Sequence, residues 1–270
     1  MNRTRHVRGS DSTGLNQTQE YAAGLLSVRV LGPFQAMRNR EQVDLGPLRQ
    51  QAVLLPLVMS SGRIVAREEI LEGVWGKAVP ASGIALVRTY ISRLRLILGR
   101  GMIVRSSAGY YLRLDPCQVD LASFDQQMIE AREFRRRDQL IRSATAWRNA
   151  LRLWRGPPLL GIPGPFAESQ RQRLTDLRLS ALEECWDTEL LLGRHTEVLV
   201  ELSAAVRDRP LRESLTRLLM LASYRSGRRA YAIAAFEEIR RQLAEEFRVQ
   251  PAPDLQQLYE RIRSGDPELR

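Results

Sequence analysis

Apolar and polar residues alternate over short stretches near the start of the chain. Leu26, Val28 and Val30 are separated by single residues, and Gly32 then turns the chain toward a second apolar segment. Alternation with a period of two is typical of half-buried β-strands. Because another turn at Asn39 precedes a third short run, the pattern predicts a small antiparallel sheet of three strands.

The spacing of apolar residues becomes helical after this predicted sheet. Pro47 is well placed at the first turn of a helix whose apolar residues continue to Met59. Pro56 lies inside this helix, where its missing N–H predicts a kink. A second, shorter helix is predicted from about Ala66 to Val74.

The third predicted helix is the most regular of the N-terminal elements. Ser82 is a suitable N-cap, and Gly99 ends the helix. Apolar residues recur inside it at steps of three and four, which places them on one buried stripe and leaves the basic residues on the remaining faces. Two short apolar runs around a turn that ends at Gly109 then predict a β-hairpin. The stripe consists of Ile84, Val87, Ile91, Leu94 and Leu98.

The segment from about residue 119 to residue 262 is helical in pattern, with interruptions at glycines and prolines. Gly193 and Gly227 are 34 residues apart, and Leu202 and Phe236 are separated by the same 34 residues. This offset matches the helix–turn–helix period of tetratricopeptide repeats, which is about 34 residues. Such units stack and leave a groove for protein partners, so this half is predicted to be an all-α, tetratricopeptide-like domain.

Charge is distributed unevenly along the 270 residues, whose formal net charge is +10. Residues 1–115 contain 16 basic and 8 acidic side chains, whereas residues 116–270 contain 25 and 23. No Asp or Glu occurs between Glu72 and Asp115, although that interval contains six arginines and Lys77. A solvated surface normally intersperses both signs, so this interval is predicted to face a polyanion.

Several classes of function are excluded by what the sequence lacks. The apolar runs are much shorter than the ~20 residues that span a bilayer, and residues 1–24 read as a flexible tail without the apolar region of a signal peptide. Cys117 and Cys185 are far apart in sequence, and there are only two histidines. We therefore expect a cytoplasmic, nucleoid-associated protein with no disulfide, metal site, cofactor or catalytic centre.

Several motifs, taken in order, resemble one bacterial family. Residues 25–115 are similar to the OmpR/PhoB-type winged-helix DNA-binding domain, and residues 116–270 resemble a bacterial transcriptional activator domain. Together they resemble the SARP (Streptomyces antibiotic regulatory protein) family, with an α+β winged helix followed by an all-α domain. The motifs are Val30-Leu31-Gly32-Pro33, Gly73-Val74-Trp75-Gly76, Val87-Arg88-Thr89-Tyr90-Ile91-Ser92-Arg93-Leu94-Arg95, the segment 104–112, Leu153-Trp154-Arg155-Gly156-Pro157-Pro158-Leu159 and the segment 219–228.

The resemblance implies a transcriptional activator that binds tandem direct repeats in double-stranded DNA near a promoter. Such a protein recruits the RNA polymerase holoenzyme, pairs with a second copy of itself on DNA and typically switches on a gene cluster for a secondary metabolite. No receiver domain precedes residue 25, so phosphorylation within this chain is not expected to regulate it.

The resemblance also implies which side chains meet DNA. Arg93 matches a base-reading position of the recognition helix, Thr89 matches a contact with a thymine methyl group, and Arg88 matches a base or phosphate contact. The remaining matches are contacts that set register without reading sequence, or that enter the minor groove from the wing. They are Ser92 and Arg95 on the helix, Arg105 in the wing, and Arg49 and Gln50 at the start of the first helix.

Two alternatives remain beside the activator. One is a tetratricopeptide scaffold whose basic N-terminal domain binds DNA weakly and without specificity. The other is an enzyme or a ligand-gated sensor, which the absence of a Gly-rich phosphate loop, a nucleophile elbow or a His/Asp pair disfavours. Sequence-specific footprinting separates the activator from the scaffold.

Overall fold

The computed structural model describes residues 26–269. The chain forms two compact units. The first contains the described residues up to 122 together with residues 155–173, and the second contains residues 123–154 and the described residues from 174 onward. The expected tail, residues 1–24, lies outside the described residues. The expected division between residues 115 and 116 stays a prediction of the domain limits, but residues 155–173 pack with the N-terminal elements.

The predicted three-stranded sheet opens the first unit. Strands β1 (Leu26–Arg29), β2 (Gln35–Arg38) and β3 (Glu41–Val43) are antiparallel and adjacent in chain order. Val28 pairs with Ala36, and both side chains are buried. The alternation of apolar residues therefore places one face of the sheet against the core, as the pattern predicts.

Two helices and a short strand follow the sheet. Helix α1 (Leu48–Met59) begins directly after Pro47 and contains Pro56, while the expected kink stays a prediction. Strand β4 (Val65–Ala66) leads into helix α2 (Arg67–Trp75), which buries Ile70 and Val74. The sequence pattern predicts both helices close to their observed ends, but it does not predict β4.

Helix α3 (Gly83–Leu98) carries the predicted stripe, with one correction. Val87, Ile91, Leu94 and Leu98 are buried, but Ile84 is 50% exposed. Gly83 is buried in its place, because a Cβ there would lie 2.9 Å from the side chain of Val79 and 3.0 Å from that of Leu71. The first turn of α3 thus packs through a glycine and turns Ile84 outward.

The predicted hairpin consists of β5 (Ile103–Arg105) and β6 (Gly109–Leu112). Strand β4 adds to the other edge of β6, which gives a second sheet in the order β4-β6-β5. Val65 pairs with Tyr110, and a Cβ on Gly109 would overlap the carbonyl oxygen of Val65 and lie 2.8 Å from its carbonyl carbon. Only glycine permits this approach of the two backbones.

A network of polar contacts ties residues 116–122 and 155–173 to the first sheet. The carboxylate of Asp120 accepts the backbone N–H groups of Val30 and Leu31 at 2.7 and 3.2 Å. It also accepts a hydrogen bond from Nη2 of Arg155 at 2.7 Å. Burial raises the pKa of Asp120, whereas the two backbone hydrogen bonds and Arg155 oppose that rise. The N–H of Arg155 in turn donates to the carbonyl of Leu31 at 2.9 Å.

The second unit is helical, as predicted, and it contains the predicted repeat. The N–H of Arg194 donates to Glu189 at 3.0 Å, and the N–H of Arg228 donates to Ser223 at 2.8 Å, in equivalent turns of the two repeat units. Gly193 occupies the left-handed region in the first turn, with φ +78°. The remaining α-helices, of which α4 and α6 begin in the first unit, are α4 (Asp120–Arg136), α5 (Leu140–Leu151), α6 (Pro165–Leu191), α7 (His195–Asp208), α8 (Glu213–Arg225), α9 (Arg229–Phe247) and α10 (Pro253–Ser264).

Candidate nucleic-acid interface

The outward face of α3 brings four of the eight predicted site residues together. Arg88, Thr89, Ser92 and Arg93 are exposed, and their spacing places each next to another on one face of the helix. The side chains of Arg88 and Arg93 form no hydrogen bond or ion pair within residues 26–269. The hydroxyl of Thr89 donates to the carbonyl of Ala85 at 3.0 Å, which leaves its methyl group to contact a ligand.

Arg95 lies at the margin of this face and is partly buried. Its Nε donates to the carbonyl of Ile103 at 2.8 Å, so the side chain links α3 to the first strand of the hairpin. The sequence pattern does not indicate this structural contact. The two terminal nitrogens of Arg95 have no partner in the described part of the chain, and a phosphate contact through them stays a prediction.

The two predicted site residues at the start of α1 differ in their surroundings. Arg49 is exposed, and its guanidinium lies 6.0 Å from the centre of the Trp75 ring. Gln50 is only 1% exposed, and its Nε2 donates to the carbonyl of Leu45 at 2.8 Å. The expectation that Gln50 contacts phosphate is therefore wrong, because its side chain points into the core and holds the loop before α1.

The eighth predicted residue, Arg105, is exposed at the end of β5, where the hairpin turns. The N–H of Ser106 donates to the carbonyl of Gly109 at 2.8 Å and closes the turn. Arg67, the first residue of α2, reaches the same turn and donates from Nη2 to the carbonyl of Ser107 at 3.2 Å. Nothing in the sequence pattern points to Arg67, because its partner is distant along the chain.

The C-terminal end of α3 is also held by an arginine that sequence reasoning did not identify. Nη2 of Arg38 on β2 donates to the carbonyls of Ile97 and Leu98 at 3.3 and 3.0 Å. These carbonyls belong to the last turn of the helix, where they have no partner within it. Arg38 thus caps α3 and fixes it against the first sheet.

The basic side chains of residues 26–115 are not neutralised within the described chain. This segment contains 13 basic and 6 acidic residues, and none of its basic side chains lies within 4 Å of a described carboxylate. The second unit is different, since Arg132 pairs with Glu184 at 2.6 Å and Arg212 pairs with Glu183 at 2.5 Å. Positive charge is therefore available to a ligand on the first unit.

The described residues offer little other chemistry. No cluster of three potential metal ligands occurs among residues 26–269, and no helix in this part is long and apolar enough to cross a membrane. A cavity of about 450 Å³ in the second unit is lined by Trp186, Cys185 and Glu189. Burial raises the pKa of the Cys185 thiol to about 12, so this thiol is not a reactive nucleophile at neutral pH.

Two family models match the chain in the order that the motifs indicate. Residues 40–112 match the model described as "Transcriptional regulatory protein, C terminal". Residues 119–263 match the model described as "Bacterial transcriptional activator domain". The first match covers α1 to β6 with the face of α3, and the second covers most of the helical region.

Individual relatives support the same assignment over nearly the whole chain. The regulatory protein AfsR of Streptomyces coelicolor is 42% identical over 93% of this chain, which spans 25% of that protein. The regulatory protein DnrI of Streptomyces peucetius is 32% identical over 90% of this chain and 93% of its own length. A solved structure of Mycobacterium tuberculosis EmbR, in complex with a low-affinity phosphopeptide, superposes with a TM-score of 0.85. Its sequence is 28% identical, and the match covers 90% of this chain and 66% of that one.

The second match, over residues 119–263, includes residues 155–173 of the first compact unit, so the limits of the family models do not coincide with those of the compact units. The chain spans about a quarter of the length of AfsR and 93% of the length of DnrI. Both relatives are regulatory proteins, and neither family model describes an enzyme. The chain belongs to the SARP family of transcriptional regulators, which combine an OmpR/PhoB-type DNA-binding domain with a bacterial transcriptional activator domain.

Proposed function

We propose that this protein is a cytoplasmic, sequence-specific transcriptional activator. It binds tandem direct repeats near a promoter and recruits the RNA polymerase holoenzyme. The observation that carries the proposal is the exposed face of α3, where Arg88 and Arg93 have no partner in the described chain. Because these guanidinium groups are unpaired, no ion pair within the protein has to be broken when they bind a phosphate or a base.

The face of α3 suits the major groove of B-DNA. That groove is ~12 Å wide and admits a helix, and arginine can donate two hydrogen bonds to O6 and N7 of guanine. Arg93 is the proposed base reader, and the methyl group of Thr89 is the proposed contact with a thymine methyl. Arg88, Ser92 and Arg95 lie around them and are proposed to bind base edges or phosphates that set the register.

Two further contacts complete the proposed footprint. Arg105 lies at the turn of the hairpin and is proposed to enter the minor groove or meet the backbone beside it. Arg49 at the start of α1 is proposed to bind a phosphate, and its packing over Trp75 orients it for that contact. Gln50 has no place in the proposal because it is buried.

The activator part of the proposal rests on the family of the second region. The name of the family refers to antibiotic regulation, and we propose a secondary-metabolite gene cluster as the target. Direct repeats need no two-fold axis in the protein, so two copies can bind head to tail without a dimer in solution.

Selection of DNA from a random pool tests the proposal most directly. Duplexes enriched by the full-length protein should contain two copies of one short sequence in the same orientation, and footprinting should protect both. Addition of RNA polymerase holoenzyme should then increase transcription from a promoter placed beside the repeats. Binding without enrichment of any sequence would favour the scaffold with a non-specific DNA-binding domain.

A further inference from the structure

The turn of the β5–β6 hairpin is held from outside by one arginine. Nη2 of Arg67 donates to the carbonyl of Ser107 at 3.2 Å, at the tip of the hairpin. Within the turn, the backbone hydrogen bond beyond the strand pairing runs from Ser106 to Gly109 at 2.8 Å. Arg67 therefore supplies a second, independent hydrogen bond that fixes the tip.

Arg67 connects this tip to a rigid part of the core. It is the first residue of α2, and that helix is anchored by Ile70 and Val74, which are 0% and 2% exposed. It also follows β4 directly, whose residue Val65 pairs with Tyr110 of β6. The base of the hairpin is fixed separately, since Arg95 of α3 donates to the carbonyl of Ile103 at 2.8 Å.

We propose that Arg67 is a positioning residue that fixes the hairpin tip so that Arg105 reaches DNA beside the site read by α3. The role rests on the proposed function, because it requires that Arg105 contacts DNA. The side chain of Arg105 is exposed and has no partner in the described chain, and its backbone lies at the last position of β5, directly before the turn that Arg67 contacts. A tip held in place loses less conformational entropy when DNA binds.

A simpler role predicts a different result. Arg67 could act only as one more positive charge near the DNA backbone, in which case its contribution would be independent of Arg105. A positioning residue instead acts through Arg105, and its contribution vanishes when Arg105 is absent. Double-mutant cycles measure this difference.

The experiment uses four full-length proteins and one probe. The probe is a duplex enriched from a random pool by the wild-type chain, and its affinity is measured for wild type, R67A, R105A and the double variant. We expect R67A and R105A each to weaken binding ~5- to 20-fold, the range of about one good contact. The double variant should bind no more weakly than R105A.

Arg63→Ala is the matched control for charge and location. Arg63 lies shortly before Arg67 and is exposed, and its side chain donates to Ser60 but to no residue of the hairpin. R63A should change affinity less than R67A, and its effect should multiply with that of R105A. All variants should keep the wild-type thermal midpoint, since Arg67 and Arg105 do not contribute to the apolar core.

A second measurement does not involve DNA. In hydrogen exchange, R67A should speed exchange of the Ser106 amide, while amides in the middle of α3 should exchange as in wild type. Losses for R67A and R105A that multiply in the double variant would overturn the positioning role. So would a hairpin turn whose exchange is unchanged in R67A. If the wild-type chain enriches no sequence, both the proposed function and the role of Arg67 are overturned. If the probe binds well but the losses of R67A and R105A multiply, only the role of Arg67 is overturned.

Discussion

At the scale of single residues, Leu94 and Leu96 show that α3 has one face that stabilises the fold and another that is exposed. Leu94 is fully buried and Leu96 is 69% exposed, although both are leucines on α3. Leu94→Ala should lower the free energy of unfolding by ~2–5 kcal/mol, because it removes buried methyl groups and leaves a cavity. Leu96→Ala is the matched control and should change it by less than about 0.5 kcal/mol. Chemical denaturation of both variants checks the pair, and equal losses would contradict the assignment of the two faces.

Arg93 should act on DNA recognition and not on stability. Because it has no partner in the described chain, Arg93→Ala should leave the thermal midpoint unchanged. It should weaken binding to the selected repeat by ~1–3 kcal/mol and relax preference at one base pair only. Titrations on single-base variants of the repeat measure this. A loss of equal size on every sequence would make Arg93 a phosphate contact.

The salt dependence of DNA binding shows whether Arg88 contacts a phosphate or reads a base. If Arg88 neutralises one phosphate, Arg88→Ala should weaken specific and non-specific binding alike. It should also reduce the slope of log K against log salt by about one unit. Titrations over a series of salt concentrations measure the slope. An unchanged slope with altered base preference would instead make Arg88 a base reader.

Residue positions were predictable where a local period fixed them and not where a distant partner did. Val53, Leu54 and Leu57 follow Gln50 at helical spacing, so the period itself carries the signal that Gln50 faces the core. The family resemblance instead suggested that Gln50 contacts phosphate, although the helical period already places it on the buried face. No such signal exists for Arg67, because its partner is brought close only by the fold.

At the scale of elements, the same distinction holds. The β1–β3 sheet, α3 and the hairpin follow from periods and turns within single segments of sequence. Strand β4 contains only Val65 and Ala66, and its partner β6 does not begin until Gly109. Alternation cannot be recognised over two positions, so β4 could not be predicted. The glycine opposite it was predicted only as part of a turn.

Gly109 tests how β4 and β6 fit together. A Cβ there would overlap the carbonyl oxygen of Val65. Gly109→Ala should separate the two strands and lower the free energy of unfolding by ~1–3 kcal/mol. Gly101→Ala is the control, because a Cβ at Gly101 meets nothing within 4 Å. Thermal unfolding of both variants checks the prediction, and a stable G109A would show that β4 yields without strain.

At the scale of the whole molecule, the sequence predicts the fold class, a winged helix followed by an all-α region, but not how the chain is divided between the compact units. Residues 155–173 read as an interruption of the helical half, because glycines and prolines break the pattern there. Their contacts are with residues much earlier in the chain, including Gly32 and Gly73. A single sequence has no local signal for such contacts, so the first unit could not be recognised as discontinuous.

Asp120 should therefore stabilise the first unit although it lies outside the segment that resembles a DNA-binding domain. Asp120→Ala would leave the N–H groups of Val30 and Leu31 without their acceptor, and both residues are fully buried. Each unsatisfied buried donor costs ~1–3 kcal/mol. Arg155 also loses its carboxylate partner, although it keeps its hydrogen bond to Gln35. Asp120→Asn keeps an acceptor oxygen and removes a carboxylate whose pKa burial has raised, so it should cost less than the alanine variant.

Denaturation of the full-length variants, with hydrogen exchange at Val30 and Leu31, measures this effect. Both amides should exchange faster in D120A than in wild type, with D120N between them. Asp208→Ala is the control, since Asp208 is an exposed carboxylate in the second unit and should leave both amides unchanged. DNA affinity of D120A at low temperature, where the first unit is still folded, should equal that of wild type, because the Asp120 carboxylate is occupied by the backbone directly after β1 and by Arg155. Wild-type stability in D120A would mean that the contacts of Asp120 with Val30, Leu31 and Arg155 do not stabilise the first unit.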